Sequence, residues 1–140
     1  MIIGTGIDIV EVSRIKRAVG KWGNTFLRRI FTEKELRYSE NKSSCFQHLA
    51  ARFAVKEAVL KAFGDGWTNR AKWCDIGVWN EESGKPNITL SGDIETLSKK
   101  LGVKDILISI SHTRTYAVAN VMLVNGEGCT GNRRMGAGLS

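Results

Sequence analysis

Only three cysteines occur in this chain, Cys45, Cys74 and Cys129, with no C-x-x-C spacing and no histidine near enough to complete a metal set. That argues against a disulfide framework and a zinc site and fits a reducing cytoplasm. Nowhere do about eighteen apolar residues follow one another, and the opening M-I-I-G-T-G-I-D has no basic stretch leading into a long apolar run. Neither a membrane span nor an export signal is expected. Acids are scarce beside cations: 14 Asp and Glu against 21 Lys and Arg give a net charge of +7. That sign favours an acidic partner, be it nucleic acid, an anionic membrane surface or an acidic protein, without choosing among them. A chain of 140 residues forms one domain, small for an enzyme that must enclose a substrate, which makes room for a site shared between subunits.

What is present is centred on a stretch that proline never interrupts, Gln47 to Phe63, Q-H-L-A-A-R-F-A-V-K-E-A-V-L-K-A-F, closed by Gly64. Ala, Leu, Lys and Glu dominate it and a glycine follows, so it reads as a helix of several turns. Its apolar residues surround the axis instead of forming one stripe, the pattern of a buried helix. Four charges nevertheless sit in it as two pairs, Arg52 with Lys56 and Glu57 with Lys61, each four residues apart. Either these are solvated rungs, with Glu57 and Lys61 an i,i+4 ion pair, or they form a site. The site would be a carboxylate to hold a metal with three cations to hold an anion such as phosphate.

Residues Ile2 to Val10 read as a strand with Ile7 and Ile9 on one face and Gly6, Asp8 and Val10 on the other. Asp8 is either the N-cap of the next helix, with Glu11 three residues on, or a metal carboxylate beside two glycines that let a ligand approach. From Glu11 to Lys21 the period turns helical. Val12, Ile15 and Val19 mark one side, and Arg14, Arg17 and Lys21 make a basic face that is either solvated or a dock for an acidic helix. Trp22 to Phe31 suggests a second short helix carrying Arg28 and Arg29, and Thr32 with Glu35 makes a capping box for a helix from Glu33 to about Glu40.

The loop after Gly64, D-G-W-T-N-R-A-K-W, carries Trp67 and Trp73 among cations. It suits single-stranded nucleic acid, a substrate flap, or a cover for the core. Two strands, Cys74 to Trp79 and Pro86 to Leu90, are joined by a turn; a helix runs from Gly92 to Leu101; and a second hairpin, Lys104 to Ser111 and Tyr116 to Val124, turns at His112. Ser109, Ser111, His112 and Thr113 gather at a strand end, where a lone histidine is a surface residue or part of a site. Residues 125–140 are glycine-rich and read as a flexible tail, leaving 1–124 as the domain.

G-I-D at Gly6 to Asp8, F-T-E-K-E at Phe31 to Glu35, R-F-A-V-K-E-A-V-L-K-A-F-G at Arg52 to Gly64, and S-I-S-H-T at Ser109 to Thr113 followed by Y-A-V-A at Tyr116 to Ala119 occur in that order, with G-K-P at Gly84 to Pro86 between the last two. Together they resemble the holo-acyl-carrier-protein synthases, the small trimeric branch of the 4′-phosphopantetheinyl transferases, from residue 1 to about 124. The resemblance implies an α+β fold of two pseudo-equivalent halves, each a helix on short antiparallel strands, and a homotrimer with sites at its interfaces. It implies Mg2+-dependent transfer of phosphopantetheine from coenzyme A to a serine of apo acyl carrier protein, leaving adenosine 3′,5′-bisphosphate, in support of fatty acid biosynthesis. Asp8 and Glu57 match the metal ligands and Lys61 the lysine one turn on; Glu57 is the preferred base. Arg52, His112 and Thr113 match positions beside the nucleotide end of coenzyme A, contributed from the neighbouring subunit, and Lys61, Gly84 and Pro86 match further coenzyme A positions. Arg14 matches the carrier-docking residue, with Lys21, Arg28 and Arg29 extending that surface. The tryptophan loop and the tail depart from the family's pattern. The rival reading is a basic, non-enzymatic nucleic-acid-binding domain, which has no use for Asp8 or Glu57; a nucleotide-binding trimer without catalysis is a third.

Overall fold

Alternation in the first strand decides where the rest packs. In the computed structural model, which describes residues 1–64 and 72–126, β1 (Ile2–Glu11) turns Gly6, Asp8 and Val10 inward and leaves Ile7 and Ile9 exposed, as its period of two requires. β1 pairs antiparallel with β5 (Tyr116–Val124), which pairs in turn with β4 (Asp105–His112), so the three-stranded sheet has the order β1-β5-β4. Asp8 stands opposite Ala119 and Val10 opposite Ala117. These small buried residues leave room on the inner face for a helix.

That helix is α4 (Cys45–Phe63), which packs on the sheet and also touches α1, α3 and β2. Contact on every side is why its apolar residues surround the axis. It lies so close to β1 that a Cβ added to Gly6 would fall on the carbonyl oxygen of Ala58, and one added to Gly4 on that of Ala62. The glycines therefore admit a helix backbone, and the expectation that they open a path for a ligand is corrected. Gly6→Ala is expected to cost about 1–3 kcal/mol or more in urea unfolding; unchanged stability would contradict the close packing.

α1 (Val12–Trp22) begins as β1 ends, with the Val12 N–H donating to the Thr115 carbonyl at 2.8 Å and Glu11 at the N-cap position. Asp8 is thus mid-strand, and its reading as an N-cap is overturned. After Gly23, α2 (Asn24–Ile30) leads to α3 (Glu33–Glu40), whose capping box forms as expected: Thr32 Oγ1 accepts from Glu35 N at 3.2 Å and Glu35 Oε1 accepts from Thr32 N at 2.7 Å.

Glu35 and Lys56 form a fully buried ion pair at 2.7 Å. Lys56 Nζ also donates to the carbonyls of Ile30 (2.6 Å) and Trp73 (3.2 Å), and Glu35 Oε2 accepts from Val78 N at 2.8 Å. Burial lowers the Lys56 ammonium's pKa while Glu35 opposes the shift. Of the two readings of Lys56, a solvated rung or one of three cations around an anion, neither holds: its donors are spent inside the core.

Residues Trp73–Asp75 form a 3-10 turn, so β2 (Ile76–Asn80) starts later than Cys74. Trp73 stacks on Phe53 with centroids 5.1 Å apart, Cys74 turns its thiol to the carbonyls ending α2, and Asp75 O accepts from Ser91 N at 2.9 Å. These diverging anchors break strand alternation. Trp73 is a core cover rather than a free stacking platform; Trp67 and residues 127–140 lie outside the described residues. β2 pairs with β3 (Pro86–Leu90), and α5 (Gly92–Leu101) ends at Gly102, φ +78. The described residues are therefore α+β, with a three-stranded and a two-stranded antiparallel sheet.

Candidate active site

α4 and β1 bring Asp8, Glu57 and Lys61 together. Lys61 Nζ donates to Asp8 Oδ1 at 2.8 Å and to the Ile7 carbonyl at 3.1 Å, so it serves β1 rather than forming the i,i+4 rung with Glu57. The hydrogen bond to Asp8 raises the Lys61 pKa. Burial, then the Asp8 charge and a side-chain hydrogen bond with Asp8, raise the Glu57 pKa against the pull of Arg14 and Lys61, so the two carboxyl groups are in direct reach of each other. Asp8 is 9% exposed, and its second oxygen, Oδ2, is buried with no hydrogen-bond partner.

A buried carboxylate oxygen without a donor, beside a second acid, has an unmet demand for positive charge. Among the described residues no group of three His, Cys, Asp or Glu gathers to hold a metal. Two carboxylates suit Mg2+, which keeps several waters and takes substrate phosphate oxygens, better than a metal needing a full protein cage.

Of the other matched residues Arg52 alone is on α4; Gly84 and Pro86 belong to the β2–β3 hairpin, and His112 and Thr113 to the end of β4 and the turn that follows. Arg52 and Glu57 are five residues apart, about 140° around the helix axis. Arg52 is buried; its Nη2 donates to Asn80 Oδ1 at 2.7 Å, and Asn80 Nδ2 donates to the Gly84 carbonyl at 3.0 Å. Pro86 opens β3 opposite Asn80. Arg52 also stands 4.3 Å from the centroid of Tyr38, whose ring meets His48 edge-on at 5.6 Å, and His48 lies 6.0 Å from His112. One connected set thus joins Arg52, His112 and the Gly84 turn. Thr113 closes the β4–β5 turn, its Oγ1 accepting from the N–H groups of Thr115 and Tyr116 at 3.1 and 3.0 Å.

Tyr38, His48 and Asn80 were not singled out by sequence. His48 carried a usable signal, lying four residues before Arg52 and so over the same face of the helix; Asn80 carried none.

Arg14 is exposed on α1, 5.3 Å from the Phe53 ring, and its charge reaches Glu57. Lys21, two turns on along the same side, lies 5.0 Å from the Trp22 ring. Arg28 on α2 is exposed and 4.0 Å from Glu33. Arg14 alone of these three borders the acid pair.

The family model described as the 4′-phosphopantetheinyl transferase superfamily matches residues 4–121. A holo-[acyl-carrier-protein] synthase of Solibacter usitatus is 46% identical over 125 residues, 89% of this chain and all of that one. The crystal structure of holo-[acyl-carrier-protein] synthase from Neisseria meningitidis superposes with a TM-score of 0.81 at 32% identity, covering 89% of this chain and 99% of that one. That of Bacillus anthracis, in complex with CoA (3′,5′-ADP), gives 0.71 at 37% identity over 88% of this chain and 96% of its own.

Proposed function

Because the chain belongs to the holo-[acyl-carrier-protein] synthases of the 4′-phosphopantetheinyl transferase superfamily, we propose that Asp8, Glu57 and Lys61 are its catalytic set. The reaction moves phosphopantetheine from coenzyme A to a serine of apo acyl carrier protein, with Mg2+, in the cytoplasm, in support of fatty acid biosynthesis. The observation that carries this reading is the buried, partnerless Asp8 Oδ2 beside Glu57 and Lys61. A salt bridge built for stability has no use for a second carboxyl group held against the first, which raises the cost of charging both.

The serine oxygen forms a bond to the β-phosphorus of coenzyme A as the bond to the bridging oxygen breaks, and adenosine 3′,5′-bisphosphate leaves. Asp8 and Glu57 would hold Mg2+, which when bound would supply charge neutralisation at the pyrophosphate. Lys61 adds a positive charge that offsets what develops on the leaving group. Glu57 takes the serine proton, directly or through a water. Incubated with coenzyme A and apo carrier, the protein releases adenosine 3′,5′-bisphosphate one for one with carrier modified; release without carrier would contradict this reading.

The site is completed between subunits of a homotrimer, each subunit built of two pseudo-equivalent halves. Two observations support this. Acidic and nucleotide-side residues face different sides of α4, and the outer sheet face is apolar, with Ile7 63%, Ile9 61% and Leu107 48% exposed. Equal mixing of Asp8→Ala and Arg52→Ala subunits, unfolded and refolded together, should restore about a quarter of wild-type activity; no recovery would place both groups in one subunit's site.

Arg14, Lys21 and Arg28 form the carrier-facing surface, with Arg14 nearest the reacting groups. Arg14→Ala should raise the KM for carrier on the order of tenfold, and most at low salt, with the KM for coenzyme A little changed. Unchanged carrier kinetics would remove Arg14 from the dock.

A further inference from the structure

His48 was assigned no role by its sequence, and the mechanism above does not use it. It stands one turn before Arg52 on α4, half-buried, with Tyr38 of α3 5.6 Å away and His112 of β4 6.0 Å away, centroid to centroid. Lys42, in the turn after α3, lies 4.5 Å from the same Tyr38 ring that Arg52 covers at 4.3 Å. Two cations and the His48 imidazole thus meet one phenol, with the His112 ring behind His48. The nearest acid acting on Arg52 is Glu35, already tied to Lys56. Among the described residues, no carboxylate forms a salt bridge with Lys42, His48, Arg52 or His112.

The cluster also holds an unused donor: Arg52 is 4% exposed, and its Nε is buried with no partner. Next along the helix, Gln47 lines a shallow cavity of about 280 Å3 with Lys16, Arg114, Ser43 and Ser44, and no acid lines it. Cations gathered without an anion, with a buried N–H left over, call for an anionic ligand.

We propose that His48 is a further ligand-binding residue, joining Arg52 and His112 in holding a phosphate monoester at the nucleotide end of coenzyme A. This rests on the nucleotide-side reading of Arg52 and His112. Burial first, then the charges of Arg52, Lys42 and His112, lowers the His48 pKa in the free protein. A phosphate, whose own second ionisation falls near pH 6, reverses the electrostatic part. Binding is therefore coupled to proton uptake by His48, and the residue contributes more to affinity at pH 6 than at pH 8.5.

The test compares wild type with His48→Phe, which keeps a flat ring against Tyr38, using coenzyme A and 3′-dephospho-coenzyme A as donors. His48→Phe should raise the KM for coenzyme A roughly fivefold at pH 6 and less at pH 8.5, leave kcat unchanged, and have little effect with the dephosphorylated donor. In wild type, the NMR-followed His48 titration should move to higher pH on adding adenosine 3′,5′-bisphosphate. Equal KM changes with both donors, or at both pH values, would reduce His48 to packing and overturn the proposal. Arg52→Ala is the control. If it raises the KM for coenzyme A while His48→Phe does not, this inference alone falls; if it changes nothing, the nucleotide-side reading falls with it.

Discussion

Asp8→Ala and Glu57→Gln should each reduce phosphopantetheine transfer by on the order of 10²–10³-fold or more, because each removes half of the acid pair that holds charge against the pyrophosphate. Both variants should remain folded, and the sign of the stability effect at Glu57 is informative. Its pKa is raised in the folded protein by burial and by Asp8. Ionising it therefore costs folding free energy, a cost that appears as pH climbs past the unfolded value and is complete above the folded one. Metal-free Glu57→Gln should thus be at least as stable as wild type at neutral pH while being inactive. Near-normal turnover in either variant would remove that residue from the catalytic set. A Glu57→Gln protein less stable than wild type would mean that the carboxylate serves the fold instead.

The second large effect is structural and lies directly behind the site. Lys56→Met should cost about 3–5 kcal/mol, because it leaves Glu35 charged and fully buried without its ion-pair partner, with only the weaker pull of Arg52 in its place. Against a total of about 5–15 kcal/mol for a domain, that is enough to approach unfolding at ordinary temperature. Glu35 has two other tasks, accepting from the N–H groups of Thr32 and Val78. Lys56→Met combined with Glu35→Gln should therefore cost less than the sum of the two single changes, since a neutral amide still accepts hydrogen bonds and no charge is stranded. Urea denaturation of the four proteins measures this. Simple additivity would show that the pair is not coupled.

Lys56 also shows where reading from sequence reaches its limit. The helical wheel of Gln47 to Phe63 placed Arg52 with Lys56 and Glu57 with Lys61, and the all-round apolar surface correctly signalled burial. A wheel does not say which element lies against each side. Lys56 meets Glu35 and the carbonyls of Ile30 and Trp73, all distant in sequence, whereas Lys61 reaches β1. The strand alternation that turns Asp8 inward, the Thr32–Glu35 box and the Gly102 helix stop are local, and each was legible because the rule that produces it acts within a few residues. The Trp73–Asp75 turn was not, because three consecutive residues there are held by three different partners, two through side chains and Asp75 through its backbone carbonyl. Tyr38 and Asn80 were missed for a related reason: each gains its meaning only from Arg52, which tertiary packing places against both.

The most direct test of the account is the intact mass of an apo acyl carrier protein incubated with this protein and coenzyme A, once with Mg2+ and once with EDTA. The account predicts a gain the size of one phosphopantetheine on the carrier, appearing with the metal and absent with the chelator. No gain with a folded carrier, or an equal gain in EDTA, would contradict the assignment of Asp8 and Glu57 as the acids through which the reaction is run.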